Sequence, residues 1–136
     1  MSKVFLDTNI FVYSLDGSDS KKQEKCRLCI KTLGEEISGV ISTQVMQEFF
    51  VASTVKLGAD PLIVKDILRS LERFETVVIT PELIREAIDC AIINRVSFWD
   101  SLIVVSAESA ECDILWTEDL NDGQVIRGVR VENPLK

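Results

Sequence analysis

The chain contains no histidine, so whatever chemistry it performs rests on other groups. Ser-His-Asp and Cys-His catalysis, H-E-x-x-H metal binding and imidazole acid–base chemistry are excluded. The candidates are carboxylates. Asp7 stands where the run Lys3-Val4-Phe5-Leu6 gives way to the polar pair Thr8-Asn9. Glu48 lies within Val45-Met46-Gln47-Glu48-Phe49-Phe50, and Asp100 between Phe98-Trp99 and Ser101-Leu102-Ile103. Asp119 belongs to the polar stretch Glu118-Asp119-Leu120-Asn121-Asp122-Gly123. Carboxylate oxygens suit hard cations such as Mg²⁺ or Mn²⁺, so an enzyme built on these acids would work with a metal. Each acid also has an ordinary explanation when taken singly. Asp7 can cap a helix, Asp100 can sit favourably in a helix's first turn, and Asp119 can be a turn residue. Glu48 can occupy a narrow solvent face beside Gln44 and Gln47.

The acids gain meaning only if the fold gathers them. Residues 3–7 read as a short strand, followed by helical character over 8–15 and a turn at Asp16-Gly17-Ser18-Asp19-Ser20. A helix is expected over about 21–33, with Cys26, Cys29, Ile30 and Leu33 on one face. The β-branched run 37–41 is a second strand, and Ser42-Thr43 are good cap types for a helix over 44–56 that stops at Gly58. Asp60-Pro61 and Thr80-Pro81 each read as cap followed by proline. They open helices over about 61–73 and 81–94, with a third strand at 76–79 between them. A helix over 97–110, a strand at 113–117 and a short strand at 129–131 complete the chain.

Strands alternating with helices specify an α/β fold with a parallel sheet and right-handed crossovers. Sites in such sheets lie outside the carboxyl ends of the strands. Asp7 ends the first strand, and Glu48 lies in the first two turns of the helix that leaves the second. Asp100 opens a helix that begins at the same edge, and Asp119 leaves the fourth strand there. Topology alone brings four distant acids to one rim.

Composition narrows the classes further. The 136 residues suit a single domain spanning 1–136. No apolar run approaches a membrane span, and no leader pattern opens the sequence, so a cytoplasmic protein without a membrane partner is expected. The net charge of −7 lacks the basic footprint of a tight duplex-DNA binder. It is compatible with acids awaiting a cation, or with a basic partner. Cys26 and Cys29 form a C-x-x-C, but no second pair and no histidine complete a zinc site. They read better as small buried hydrophobes. Arg95, Lys56 and Arg127 are candidate phosphate contacts, though exposed charges are more often plain surface. Phe98 and Trp99 suit the core or an interface better than base stacking.

The ordered set of Asp7-Thr8-Asn9 after a strand, Gln47-Glu48-Phe49 in a mid-chain helix, Phe98-Trp99-Asp100-Ser101-Leu102-Ile103 opening a later helix, and Thr117-Glu118-Asp119-Leu120 after the fourth strand resembles the PIN domain. Within that family the chain looks most like the small VapC-type toxins of toxin–antitoxin pairs, over essentially its whole length. The resemblance implies a three-layer fold with a parallel five-stranded central sheet flanked by helices. It implies a ribonuclease dependent on Mg²⁺ or Mn²⁺, acting on RNA and commonly homodimeric. It implies restraint by a cognate antitoxin whose basic C-terminal segment enters the acidic pocket. By residue, it puts the metal-binding and catalytic acids at Asp7 and Asp100, with Glu48 and Asp119 completing a quartet and Asp122 in reserve for the last. Thr8, Asn9 and Thr117 become supports for those carboxylates.

Two other readings remain open on the sequence. One is a binding module on the same fold without nuclease activity, which a complete acidic quartet argues against. The other is an aspartyl-phosphate enzyme with Asp7 as nucleophile. That chemistry usually wants an acid two residues on and a lysine near the later acids. Here the position is Asn9, and no lysine lies between Lys65 and Lys136.

Overall fold

The computed structural model describes residues 2–34 and 36–136. Strand β1 (Ser2–Leu6) leads into helix α1 (Thr8–Leu15) and then α2 (Ser20–Lys31). Strand β2 (Ile37–Ser42) is followed by α3 (Thr43–Val51), which runs on as a π-helical turn over Ala52–Lys56. Then come α4 (Pro61–Leu71), β3 (Glu75–Val77), α5 (Pro81–Asn94), α6 (Phe98–Ser109), β4 (Ile114–Trp116), β5 (Val125–Ile126) and β6 (Val129–Glu132).

Side-chain caps start these helices, and those at Ser42, Asp60 and Thr80 are the ones expected from the sequence. Asp19, Ser42, Asp60, Thr80 and Ser97 each accept a hydrogen bond from a first-turn N–H, and Pro61 and Pro81 open their helices. The helix expected over 44–56 is regular only to Val51. Its last turn widens to i→i+5 bonding, a device that re-aims side chains without ending the helix.

The sheet runs β3-β2-β1-β4-β6-β5. Its first five members are parallel, as expected, with Val4 paired to Gly39 on one side and to Ile114 on the other. A sixth strand, β5, lies antiparallel on the edge against β6. Its two residues were too short to show a strand pattern, and the left-handed Arg127-Gly128 pair supplies the hairpin turn that creates it. Strands β1 and β2 carry unbroken buried runs rather than alternation, because helices cover both faces. The helices pack in two groups, α1 with α2 and α3 and onward to α4, and α5 with α6.

Phe5, Leu6, Val40, Ile41, Leu115, Ile126, Val129 and Val131 form the sheet's share of the core. Phe11 bridges Phe49 and Phe74 at centroid distances of 6.4 and 5.9 Å. Phe74 also presses on β2. A Cβ added at Gly39 would lie 2.9 Å from Phe74 Cδ1 and 3.0 Å from Leu33 Cδ1. Gly39→Val is therefore expected to destabilise the protein by about 1–3 kcal/mol through overpacking. A urea titration checks this: the midpoint should fall with the m-value unchanged.

Candidate functional site

The strand order reverses about β1, which has β2 on one side and β4 on the other. That switch point opens a crevice at the carboxyl ends of these strands. A cavity of about 480 Å³ lies there, lined by Asp7, Glu48, Asp100 and Asp119 together with Thr8, Asn9 and Gln44. Its outer wall is apolar on one side, from Val51, Ala52 and Val55, and faces Trp99 and Ile103 on the other, with Lys56 also lining it.

Asp7 is the innermost acid, 6 % exposed. Its N–H donates to the Trp116 carbonyl at 3.1 Å, extending the β1–β4 pairing by one residue. Its Oδ1 accepts from the Thr8 N–H at 2.7 Å, and its Oδ2 from the Thr117 hydroxyl at 2.7 Å. Thr117 Oγ1 also accepts from the Asp119 N–H at 3.1 Å, so one buried threonine fixes Asp7 and the start of the loop that carries Asp119. Thr8 works on two acids. Its N–H holds Asp7, and its hydroxyl donates to Glu48 Oε1 at 2.6 Å. Asp100 sits in the first turn of α6, where its N–H donates to Ser97 Oγ at 3.0 Å. Glu48 and Asp100 are half-buried, while Asp119 is exposed at the rim.

Burial pushes the Asp7 carboxyl up to about 7, against the hydrogen bonds from Thr117 and Thr8, and the charges of Asp119 and Glu48 push the same way. Enclosing a carboxylate costs several kcal/mol, whereas two bonds to a charged group return about 1.5–3 kcal/mol each. Asp119 is also raised, by burial first and then by Asp100, with hydrogen bonding to Asp7 opposing. The four acids thus feel one another, and among the described residues none of them has a salt-bridge partner.

Hard oxygens crowded without a counter-cation are a donor set that fits a divalent ion of the Mg²⁺ or Mn²⁺ type. As the side chains stand, no group of three acids among the described residues is gathered for one ion. The half-buried and exposed members would have to turn inward.

Other expected residues take different places. Asp122 is not brought to the cavity: its carboxylate accepts from the Asn133 N–H at 2.8 Å and lies 3.7 Å from Lys136 Nζ. Asn9 lines the cavity, but its amide donates to Glu118 at 3.5 Å rather than to the quartet. Of the three candidate phosphate contacts, Lys56 reaches the cavity, whereas Arg127 is engaged by Glu86 and Glu108 at 2.6 and 2.9 Å. Arg95 is the left-handed residue that closes α5. Phe98 packs on the core, while Trp99 is 62 % exposed. Cys26 is buried and its thiol pushed up to about 12 by burial, and all four cysteines are free.

Two residues were missed. Glu118 accepts from Tyr13 and Asn9 and lies 3.6 Å from Lys22, tying the loop after β4 to α1 and α2. Gln44, read as solvent-facing, is 4 % exposed, whereas Gln47 is indeed exposed. Its position four residues before Glu48, on the same helical face, was the available signal.

The fold has close counterparts among solved structures. A toxin–antitoxin complex from Klebsiella pneumoniae aligns with a TM-score of 0.71 at 17 % identity, covering 96 % of this chain and 97 % of that one. Mycobacterium tuberculosis VapC20, described as a toxin that cleaves the sarcin–ricin loop, aligns with a TM-score of 0.73 at 14 % identity over 93 % and 98 %. VapBC2 from Rickettsia felis, bound to a DNA fragment of its promoter, aligns at 0.66 and 20 % identity over 96 % and 98 %. At these identities the likeness is one of fold. No curated protein sequence matches. The PIN domain profile matches residues 4–124, most of the chain, and the protein belongs to the PIN domain family.

Proposed function

We propose that this protein is a divalent-metal-dependent endoribonuclease that acts as the toxin of a toxin–antitoxin pair. The observation that carries the reading is the shared cavity at the sheet's switch point, where four acids from distant parts of the chain meet with no salt-bridge partner among the described residues. Membership of the PIN family and the likeness of fold to toxins and toxin–antitoxin complexes support it.

Asp7 and Asp100 would hold the ion, with Glu48 and Asp119 completing the set. When bound, Mg²⁺ or Mn²⁺ offsets the clustered negative charge and acts as a Lewis acid toward a phosphodiester. The chain does the positioning. Thr8 and Thr117 fix both oxygens of Asp7, and the Thr8 hydroxyl orients Glu48. Lys56 supplies a cation for an RNA phosphate, and the exposed Trp99 ring supplies a face for a base. With the ion absent, the same acids suit a basic side chain from an antitoxin's C-terminal segment. A homodimer has a surface to use: Ile84, Ile88 and Ile92 recur every four residues along α5 and are all exposed. Among the described residues no helix is long and apolar enough to cross a membrane.

Three outcomes follow. Asp7→Asn and Asp100→Asn should each lower Mg²⁺- or Mn²⁺-dependent RNA cleavage by at least about a hundredfold, since each removes a charged oxygen from the ion. Full activity in either variant would sink the assignment.

The pH dependence of the protein in EDTA is a second. Asp7 binds its proton more tightly folded, at about 7, than unfolded, at about 3.9. The folded state therefore holds more protons between those limits, and stability falls as pH rises through that window. Asp7→Asn should flatten this slope and be the more stable protein near pH 8. Thermal midpoints at a series of pH values read it, and an unchanged slope refutes it.

The third concerns assembly. Size-exclusion chromatography should give twice the chain mass, and Ile88→Glu with Ile92→Glu should return it to one.

A further inference from the structure

We infer that Gln44 is a positioning residue that locks Glu48 to the first turn of α6, and that removing its amide weakens divalent-ion binding without weakening the fold. The inference rests on the metal-site reading above.

Gln44 occupies the first turn of α3 and is almost wholly buried at the cavity's edge. Its Nε2 lies 3.4 Å from Glu48 Oε2 and 3.3 Å from the Trp99 carbonyl oxygen. Both neighbours are acceptors only, so the NH₂ end must face them and the amide cannot be reversed. Its Oε1 is then left buried, with no hydrogen-bond partner among the described residues.

An orphaned buried acceptor is disfavoured. Methionine has nearly the same length and shape and would fill this space without one. That unpartnered oxygen works against stability, and such exceptions are expected where a side chain serves a site.

The two bonds it makes show what that service is. Helices α3 and α6 belong to different packing groups. Among the described residues no other hydrogen bond joins them. The bond to Trp99 reaches the residue next to Asp100, so one amide registers Glu48 against the turn that carries Asp100. With Thr8 on Oε1 and Gln44 on Oε2, the Glu48 carboxylate is held at both oxygens and keeps a free lone pair on each. Groups that orient ion-binding carboxylates in this way typically change metal affinity by 10–100-fold when lost.

The test compares the full chain as wild type, Gln44→Met, Glu48→Gln and the double variant. Two quantities are read: the thermal midpoint in EDTA, and Mn²⁺ affinity from the paramagnetic resonance signal of the free ion. Gln44→Met should match or exceed the wild-type midpoint in EDTA while binding Mn²⁺ roughly tenfold more weakly. In the Glu48→Gln background the same substitution should have no further effect on Mn²⁺, because its action runs through Glu48. Unchanged Mn²⁺ affinity in Gln44→Met overturns the inference. So does a lowered midpoint in EDTA, which would make Gln44 a structural strut, and so does a full effect in the Glu48→Gln background. If the wild type itself takes up no Mn²⁺, the metal-site reading fails at that arm and this inference falls with it.

Discussion

The structure turns on a buried carboxylate held at the end of its central strand. Asp7 follows a strand with neighbours on both sides, and it has a helix beginning at its own carbonyl and a hydroxyl and an N–H on its two oxygens. The hydrogen bonds fix its direction but do not compensate its burial, so the group lies between charged and neutral near physiological pH. Elements that meet at this point are constrained by it. The loop after β4 is pinned through Thr117, α1 begins at Thr8, and α3 is reached through the Thr8 hydroxyl on Glu48.

That arrangement divides the labour between rigid and adjustable parts. Asp7 is locked, Glu48 is held by two side chains, and Asp100 and Asp119 are progressively freer toward solvent. A graded site of this kind can present a fixed oxygen to an entering cation and let the outer acids close on it. It can equally be closed from outside by a cationic group.

Much of this was legible in the sequence. The caps at Ser42, Asp60 and Thr80 and the prolines behind two of them set the helix starts within a residue or so, because capping is local chemistry. The convergence of Asp7, Glu48, Asp100 and Asp119 followed from parallel topology, which needs no side-chain detail. What was not legible depends on distant packing. Gln44 reads as solvent-facing because polarity is the only cue a single residue offers, and its burial is decided by α6, more than fifty positions away. Glu118 and Asp119 are adjacent acids, and only the positions of Tyr13 and Lys22 decide which turns toward α1. The two-residue β5 owes its existence to a hairpin turn rather than to any pattern of its own.

The widened turn at Ala52–Lys56 has a consequence for how such a cavity can diversify. At about 100° per residue a regular helix would carry Lys56 roughly 120° around the axis from Gln44. An i→i+5 turn advances less per residue and keeps Val55 and Lys56 on the wall shared with Glu48. A π turn is in effect one residue inserted into a helix. Deleting a single residue from this segment would restore regular winding and leave Lys56 only about 20° around the axis from Gln44, with the four acids untouched. The outer wall can therefore gain or lose one residue, through a single codon, while Lys56 and the inner acids keep their places.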